Sequence, residues 1–141
     1  MSKPVTVAQT AAWLKEQDRI LILMHQYPDG DTIGSGFALC RALQALGKTV
    51  RTACHDVIPE KYAYMTDGVP QPAFEPDVIV AVDVADPKLL GESLQPLGDR
   101  VALCIDHHGS NKQYARQLLL DANSTAAAVS STDRLMIPLN K

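Results

Sequence analysis

Three short apolar runs in this sequence each end directly on a histidine or an aspartate, and this arrangement constrains the fold more than any other feature. Residues 20–24 are followed by His25, residues 78–82 by Asp83, and residues 101–105 by Asp106. Runs of this length that are rich in Ile and Val are typical of strands buried on both faces of a parallel sheet. The sequence therefore predicts three core strands, each ending at a residue that can bind a metal ion.

The segments between these runs have helical patterns and residues suited to helix boundaries. Thr6 is placed to cap a first helix, and Gly47 lies where the C-terminal cap of a second helix belongs. Helices are expected over residues 7–17, 31–46, 59–65 and 87–94, and further strands over residues 48–54 and 118–120. Tyr62 and Tyr64 are expected to pack within the third helix, and a last helix is expected to open at residues 124–128. This alternation predicts an α/β fold with a parallel sheet of about five strands flanked by helices.

The loop after the first run is the richest in side chains that bind metals. His25, Asp29 and Asp31 lie within seven positions, and Pro28 and Gly30 favour a tight turn in which these groups converge. Ligands of open α/β sheets bind beyond the carboxyl ends of the strands, so the loop is expected to share one crevice with the other strand ends. Imidazole and carboxylate together suit Mn²⁺, and also Mg²⁺, Fe²⁺ or Zn²⁺.

Each of these features also has a plain structural explanation. A histidine after a strand is often structural, Asp-Gly-Asp is commonly a turn, and Asp106-His107-His108 can be a polar turn. Their placement at successive strand ends favours a shared site over coincidence. The segment Gly34-Ser35-Gly36 permits close approach of an anion near a helix start, but it matches neither a Walker A loop nor a dinucleotide-binding fingerprint.

Composition excludes several classes of protein. The 141 residues suffice for one domain, and the net charge of −3 without a Lys/Arg run argues against gripping a long nucleic-acid backbone. Aromatic residues make up only 5%, which argues against an RNA-binding sheet that stacks several bases. The sequence has no long apolar segment, so we expect neither a signal peptide nor a membrane span. Three cysteines without a Cys-x-x-Cys pair indicate reduced, mostly buried thiols in a cytoplasmic protein.

The metal-binding residues together resemble a known family. The run from His25 to Ser35 reads His-x-x-Pro-Asp-Gly-Asp-x-x-Gly-Ser, and it is followed by Asp83 and by Asp106-His107-His108. In this order the motifs resemble the DHH superfamily of phosphoesterases, also called RecJ-like. Within it the sequence is most similar to the bacterial nano-RNase and 3′-phosphoadenosine 5′-phosphate phosphatase group. The resemblance covers roughly residues 6–128 and implies two Mn²⁺ ions, with Mg²⁺ or another divalent ion as alternatives.

The resemblance also implies which residues hold the ions. One ion would be bound by His25, Asp29 and Asp83. The other would be bound by Asp31, Asp83 and His107, so that Asp83 bridges the two.

Further roles follow from the same resemblance. His108 would face the substrate phosphate, and Asp106 would support the double histidine from behind the metal ligands. Asp83, His107 and His108 are therefore the expected catalytic residues. Ser35, from its glycine-rich setting, is also assigned to the substrate phosphate.

The function implied is metal-dependent hydrolysis of short RNA or DNA oligonucleotides, 3′-phosphoadenosine 5′-phosphate, or both, by two-metal activation of water. The enzyme class is that of an oligoribonuclease, exonuclease or nucleotide phosphatase. We expect a small phosphorylated substrate, a cytoplasmic location and no membrane partner, and a homodimer is compatible with the resemblance. Alternatives are an inorganic pyrophosphatase, a cyclic-dinucleotide phosphodiesterase, a non-catalytic metal- or nucleotide-binding regulatory domain, or an α/β domain without a site.

The end of the chain departs from the family pattern. The family has a further Asp ligand and a smaller C-terminal substrate-binding domain after the double histidine, whereas here Asp133 is the sole acid after Asp121. We expect residues 1–128 to form the DHH-type catalytic domain and residues 129–141 an atypical tail, with the C-terminal domain absent. Weak or absent activity of the 141-residue chain follows as an expectation.

Overall fold

The computed structural model describes residues 1–120 of the chain. The helix expected to open at residues 124–128, the atypical tail and Asp133 lie outside the described residues. Within the described part, the strands are β1 (Lys3–Pro4), β2 (Ile20–Leu23), β3 (Val50–Ala53), β4 (Val78–Val82), β5 (Val101–Asp106) and β6 (Gln117–Leu120). The α-helices in the same part are α1 (Val7–Lys15), α2 (Gly30–Ala45) and α3 (Ala63–Thr66), and 3₁₀ turns cover Glu60–Tyr62, Pro87–Leu90 and Gln95–Arg100.

The six described strands form one sheet in the order β1-β6-β5-β4-β2-β3, and every pair of neighbours is parallel. The predicted α/β fold with a parallel sheet flanked by helices is confirmed. The sequence did not indicate β1, a two-residue strand that pairs with β6 through Lys3 and Pro4. Because all strands run in the same direction, the carboxyl ends of β2, β4 and β5 lie side by side at one edge of the sheet.

The two long helices begin where side chains satisfy their free amides. Thr6 and Gln9 form a capping box at the start of α1, which ends at Lys15, earlier than expected. Asp29 caps α2, and its side chain accepts a hydrogen bond from the amide of Thr32. The helix ends before Gly47, whose positive φ of 83° suits glycine at this position, as predicted.

The core lies on both faces of the sheet because the central strands are buried throughout. All residues of β2 and β4 are buried, and successive side chains point to opposite faces. Ile20 and Ile22 pack beneath α1 and α2, whereas Leu21 and Leu23 pack on the other face with Leu90. Full burial of each such side chain contributes about 1.5–3 kcal/mol. The sheet is therefore a rigid base for groups at its edge.

Two local expectations were wrong. The helix predicted over residues 87–94 is only the 3₁₀ turn Pro87–Leu90, which stops at Gly91 with a positive φ of 88°. Tyr64, expected to pack, is 76% exposed, whereas Tyr62 is partly buried against the core. Among the residues described, no helix combines the length and the apolar character that a bilayer span requires.

The three cysteines all lie in the described part of the chain and are unpaired. Cys40 and Cys104 are fully buried, and Cys54 is partly buried. Burial raises the pKa of Cys40 to about 11 and that of Cys104 to about 12. The burial of Cys40 and Cys104 agrees with the expectation of mostly buried thiols.

Candidate metal centre

The carboxyl ends of β4 and β5 bring four potential metal ligands together. Asp83, Asp106, His107 and His108 each offer one ligand atom, and these atoms all lie within 4.8 Å of one another. The two strands are neighbours, and the amide of Asp83 donates to the carbonyl of Ile105 over 2.8 Å. The pairing of β4 with β5 therefore sets the distance between the aspartate and the double histidine.

Asp83 is the most constrained member of this cluster. Its backbone has a positive φ of 63°, which is uncommon outside glycine, and its side chain is only 12% exposed. Oδ2 accepts a hydrogen bond from Thr32 Oγ1 over 2.9 Å. Burial raises the pKa of Asp83, and the hydrogen bond from Thr32 and the nearby imidazoles of His107 and His108 oppose that rise.

The other oxygen of Asp83 has no hydrogen-bond partner among the described residues. Oδ1 is buried, with His107 Nδ1 at 3.2 Å and His108 Nδ1 at 3.8 Å, but no hydrogen bond forms. An unpartnered buried carboxylate oxygen is unfavourable unless another group compensates for it. Carboxylate and imidazole are suitable donors for Mn²⁺ and related divalent ions, so the residues present fit a metal ion at this point.

Asp106 is placed differently, because both of its oxygens are occupied. Oδ1 accepts from the amide of His107 over 2.8 Å and from Nδ1 of His108 over 2.6 Å. Oδ2 accepts from Nδ2 of Asn111 over 2.9 Å, and the side chain is fully buried. This arrangement suits a residue that orients the two histidines from behind.

The structure does not bring the loop after β2 into the four-residue cluster. Within residues 1–120 His25, Asp29 and Asp31 are not members of that group. His25 Nδ1 accepts from the amide of Tyr27 over 3.0 Å, and Asp29 Oδ1 accepts from the amide of Thr32 over 2.9 Å. Asp31 is exposed in the first turn of α2. Their assignment as metal ligands stays a prediction.

Ser35 and its neighbouring glycines lie inside α2 rather than at its start. Ser35 is 5% exposed, and its role toward a substrate phosphate also stays a prediction. A Cβ atom on Gly36 would lie 2.6 Å from Sδ of Met24, so this glycine allows α2 to pack closely on the sheet. The glycine-rich segment thus has a packing role that its sequence pattern did not indicate.

Sequence reasoning missed three side chains that support the cluster. Thr32 links the start of α2 to Asp83, and Asn111 binds Asp106. Tyr114 donates its hydroxyl to the carbonyl of Val84 over 2.7 Å, and burial raises its pKa. A hydroxyl three residues after the capping Asp29 was the available signal for Thr32, whereas nothing in the pattern pointed to Tyr114.

An open groove beside β3 is distinct from the metal cluster. It has a volume of about 560 Å³ and is lined by side chains that include Phe37, Arg51, Gln71 and Phe74. Its lining contains none of the four clustered ligands, although Met24, next to His25, lies at its wall. Since the ligand chemistry is concentrated at the ends of β4 and β5, the cluster rather than this groove is the candidate centre.

Comparisons with known proteins agree with the motifs and the fold. A family model described as the N-terminal domain of the DHH family matches residues 19–139. The bifunctional oligoribonuclease and PAP phosphatase NrnA of Thermus thermophilus is 32% identical over an alignment of 117 residues, which covers 77% of this chain. A crystal structure of an exopolyphosphatase-related protein from Bacteroides fragilis superposes with a TM-score of 0.75 at 22% identity and covers 94% of this chain.

The lengths of these relatives differ from that of the chain. The chain spans 34% of the Thermus protein and 43% of the Bacteroides chain. At 22% identity the solved structure shows a shared fold and nothing about activity.

Proposed function

We propose that this chain, which belongs to the DHH family, is the metal-binding catalytic domain of a phosphoesterase that hydrolyses short oligonucleotides, 3′-phosphoadenosine 5′-phosphate, or both. The name of the Thermus relative supports this substrate class. The chain spans 34% of that relative. Any activity of a complete protein is therefore proposed here and does not follow from the comparison.

One observation supports the proposal more than any other. Oδ1 of Asp83 is buried without a hydrogen bond from the described residues, and two imidazole nitrogens face it at 3.2 and 3.8 Å. If stability were the only requirement, we would expect a hydrogen-bond donor beside Oδ1, or an apolar side chain in place of Asp83. An arrangement that is unfavourable for the metal-free fold is expected where a divalent ion binds.

The residues that would hold divalent ions are His25, Asp29, Asp31, Asp83 and His107. Two Mn²⁺ ions are expected, with Mg²⁺ or another divalent ion as alternatives. Bound there, the metal would neutralise charge that develops on the phosphoryl oxygens and make water a stronger nucleophile at neutral pH.

The chain's own residues hold the site in shape and supply a proton-carrying group. Asp106 accepts from Nδ1 of His108, so the Nε2 atom of this imidazole is left for the substrate phosphate or its leaving group. His108 is the most accessible member of the cluster, with 45% of its side chain exposed. Thr32 keeps the Asp83 carboxylate from rotating, because it holds Oδ2 in place.

A binding and turnover experiment tests the proposal. Mn²⁺ binding to the 141-residue chain is measured by the loss of the free-ion signal in electron paramagnetic resonance, for wild type, Asp83→Asn and Asp67→Asn. Asp67 is an exposed aspartate outside the cluster, so its variant controls for the lost charge. We expect Asp83→Asn to lose at least about 90% of binding at subsaturating metal, and Asp67→Asn to behave as wild type.

Turnover is followed on a dinucleotide, 3′-phosphoadenosine 5′-phosphate, pyrophosphate and a cyclic dinucleotide. Hydrolysis of either of the first two that needs Mn²⁺ and Asp83 supports the proposal. Preference for pyrophosphate or the cyclic dinucleotide contradicts the substrate class. Weak or absent turnover is expected of the 141-residue chain, so metal binding without hydrolysis favours a regulatory domain only if it persists when the chain is joined to a C-terminal substrate-binding domain. Binding unaffected by Asp83→Asn contradicts the site itself. The homodimer and the cytoplasmic location stay predictions.

A further inference from the structure

We infer that Asn111 is a positioning residue of this centre, which acts by clamping Asp106 and thereby orienting His108. Its catalytic meaning rests on the proposed function, whereas its structural effect can be measured in the metal-free protein. The contact is direct, since Nδ2 of Asn111 donates to Oδ2 of Asp106 over 2.9 Å.

The geometry of Asp106 explains why a clamp matters. Its Oδ1 holds both the amide of His107 and Nδ1 of His108, so a rotation of the carboxylate would disturb the whole double histidine. Asn111 is the described partner of the second oxygen, and the two ends of the carboxylate are thus fixed independently. Since Asp106 is fully buried, loss of this donor leaves a carboxylate oxygen without compensation from water.

Asn111 is itself held in one orientation. Its side-chain Oδ1 accepts from the backbone amide of Gln113 over 2.7 Å, while its backbone amide donates to the carbonyl of His108 over 3.1 Å. If the carboxamide were flipped, its oxygen would face Asp106 and its NH₂ group would face an N–H donor. Both contacts would be repulsive, so only one orientation is consistent with the surroundings.

The next residue secures the same turn to the loop after β4. The amide of Lys112 donates to the carbonyl of Ala85 over 2.7 Å, and Gln113 has a positive φ of 54°. The turn that carries Asn111 is therefore attached to the loop that follows Asp83. This attachment gives the carboxamide a fixed base from which to act on Asp106.

The consequence is a defined tautomer for His108. An ionised carboxylate only accepts, so the proton shared with Asp106 belongs to Nδ1 of His108. In the neutral imidazole Nε2 then carries the free lone pair, and it is the atom that would take up a proton and pass it to the leaving group. Asn111 favours this state because it prevents Asp106 from turning away from the imidazole. Asn111, which would contact neither metal nor substrate, would in this way set the tautomer of His108, which would face the substrate.

Three substitutions separate this role from simple support of the turn. Asn111→Asp keeps the oxygen that accepts from Gln113 but removes the donor to Asp106. Asn111→Ala removes both contacts without adding charge, and it serves if Asn111→Asp fails to fold. Gln113→Glu makes the same amide-to-carboxylate change at an exposed position two residues away, and is the matched control.

The first measurement is the tautomer of His108 in the metal-free protein, from imidazole ¹⁵N–¹H correlation spectra in EDTA at alkaline pH. We expect wild type and Gln113→Glu to show mainly the Nδ1–H form, and the two Asn111 variants to show a mixture. A folded Asn111→Asp or Asn111→Ala protein with an unchanged His108 spectrum would overturn the inference.

The second measurement is steady-state kinetics with Mn²⁺. We expect kcat to fall about 10- to 100-fold in the Asn111 variants with little change in KM, because positioning is lost rather than substrate binding. Equal turnover by wild type and Asn111→Ala contradicts the inference. Absence of turnover in wild type matches the weak or absent activity expected of the 141-residue chain, and the ¹⁵N–¹H spectra then decide on Asn111. The proposed function is contradicted separately, by Mn²⁺ binding that does not depend on Asp83.

Discussion

Thr32 donates its hydroxyl proton to Oδ2 of Asp83 over 2.9 Å, across 51 positions of sequence. The amide of the same threonine is bound by Oδ1 of Asp29 over 2.9 Å. Thr32 thus connects the loop after β2, which holds the predicted metal ligands His25 and Asp29, with the end of β4, and it is almost fully buried at 1% exposure. A residue that cannot bind a metal tightly itself joins the two parts of the candidate centre.

Replacing Thr32 by valine should weaken Mn²⁺ binding about 10-fold or more, because the Asp83 carboxylate loses the bond that orients it. Thr32→Ser, which keeps the hydroxyl, should retain most of the affinity. The measurement is the Mn²⁺ dissociation constant by calorimetry. Equal affinities for the valine and serine variants would show that the hydroxyl does not matter.

Asp83→Asn should stabilise the metal-free protein at neutral pH by about 1 kcal/mol, since it removes a buried carboxylate oxygen that has no donor. The amide oxygen can still accept from Thr32, and the new NH₂ group can face His107. Unfolding by urea in EDTA measures the effect. Asp31→Asn, at an exposed position in the first turn of α2, is the control and should not stabilise.

The pH dependence of this effect has a definite sign. Burial raises the pKa of Asp83 in the folded protein, so the folded state holds its proton more tightly than the unfolded chain. Stability attributable to Asp83 is therefore greatest below its unfolded pKa and falls as pH rises through its folded pKa. The advantage of Asp83→Asn should vanish in acid, and an advantage that persists there would point to a different cause.

Gly91→Ala should destabilise the fold more than Gly47→Ala. Both glycines have a positive φ, of 88° and 83°, which is unfavourable for alanine by about 1 kcal/mol or more. Gly91, with a ψ of 165°, lies in a region that essentially only glycine adopts, so its backbone cost is the larger. A Cβ on Gly91 would also lie 2.6 Å from Cβ of His55, whereas one on Gly47 would meet nothing within 4 Å. The difference between the two free energies of unfolding measures the steric clash together with the more restrictive backbone at position 91. Equal losses in the free energy of unfolding would mean that the loop after β3, which carries His55, moves away from the new methyl group at little cost.

Alkaline pH should destabilise the protein through its buried thiols. Burial raises the pKa of Cys104 from 9.0 to about 12, so stability due to the protonated thiol is present below pH 9.0 and is lost above it. Each such group contributes a slope of about 1.4 kcal/mol per pH unit in this range. Cys104→Ala should reduce the slope by that amount, as judged from urea unfolding between pH 9 and 11. An unchanged slope would show that Cys104 does not titrate during unfolding.

The parts of the fold that the sequence predicts are those governed by burial. Strands β2 and β4 and the first five residues of β5 are apolar because both faces of the sheet are covered, and the pattern alone identifies them. By contrast, β1 consists of the exposed pair Lys3–Pro4, and its formation depends on the edge offered by β6. The residues after Leu90 fail to continue a helix because packing against His55 requires glycine at position 91.

The candidate site divides in a similar way. The rule that ligands gather at strand ends is sufficient to bring Asp83, Asp106 and the double histidine together. It does not predict Thr32 or Asn111, because their roles depend on the direction of single hydrogen bonds between side chains. The distance between Asp31 and Asp83 likewise depends on how α2 packs on the sheet, and the spacing of the two residues along the chain does not predict it.

The pairing of β1 with β6 makes the amino terminus part of the sheet. Lys3 donates its amide to the carbonyl of Arg116 over 2.9 Å, and the hydroxyl of Ser2 donates to the carbonyl of Ala115. A purification tag cleaved too far into the protein, beyond Pro4, would leave β6, which contains Leu118 and Leu119, as the edge strand of the sheet that residues 1–120 form. An exposed edge strand can pair with strands of neighbouring molecules and cause aggregation, so the yield of soluble protein would depend on the first four residues.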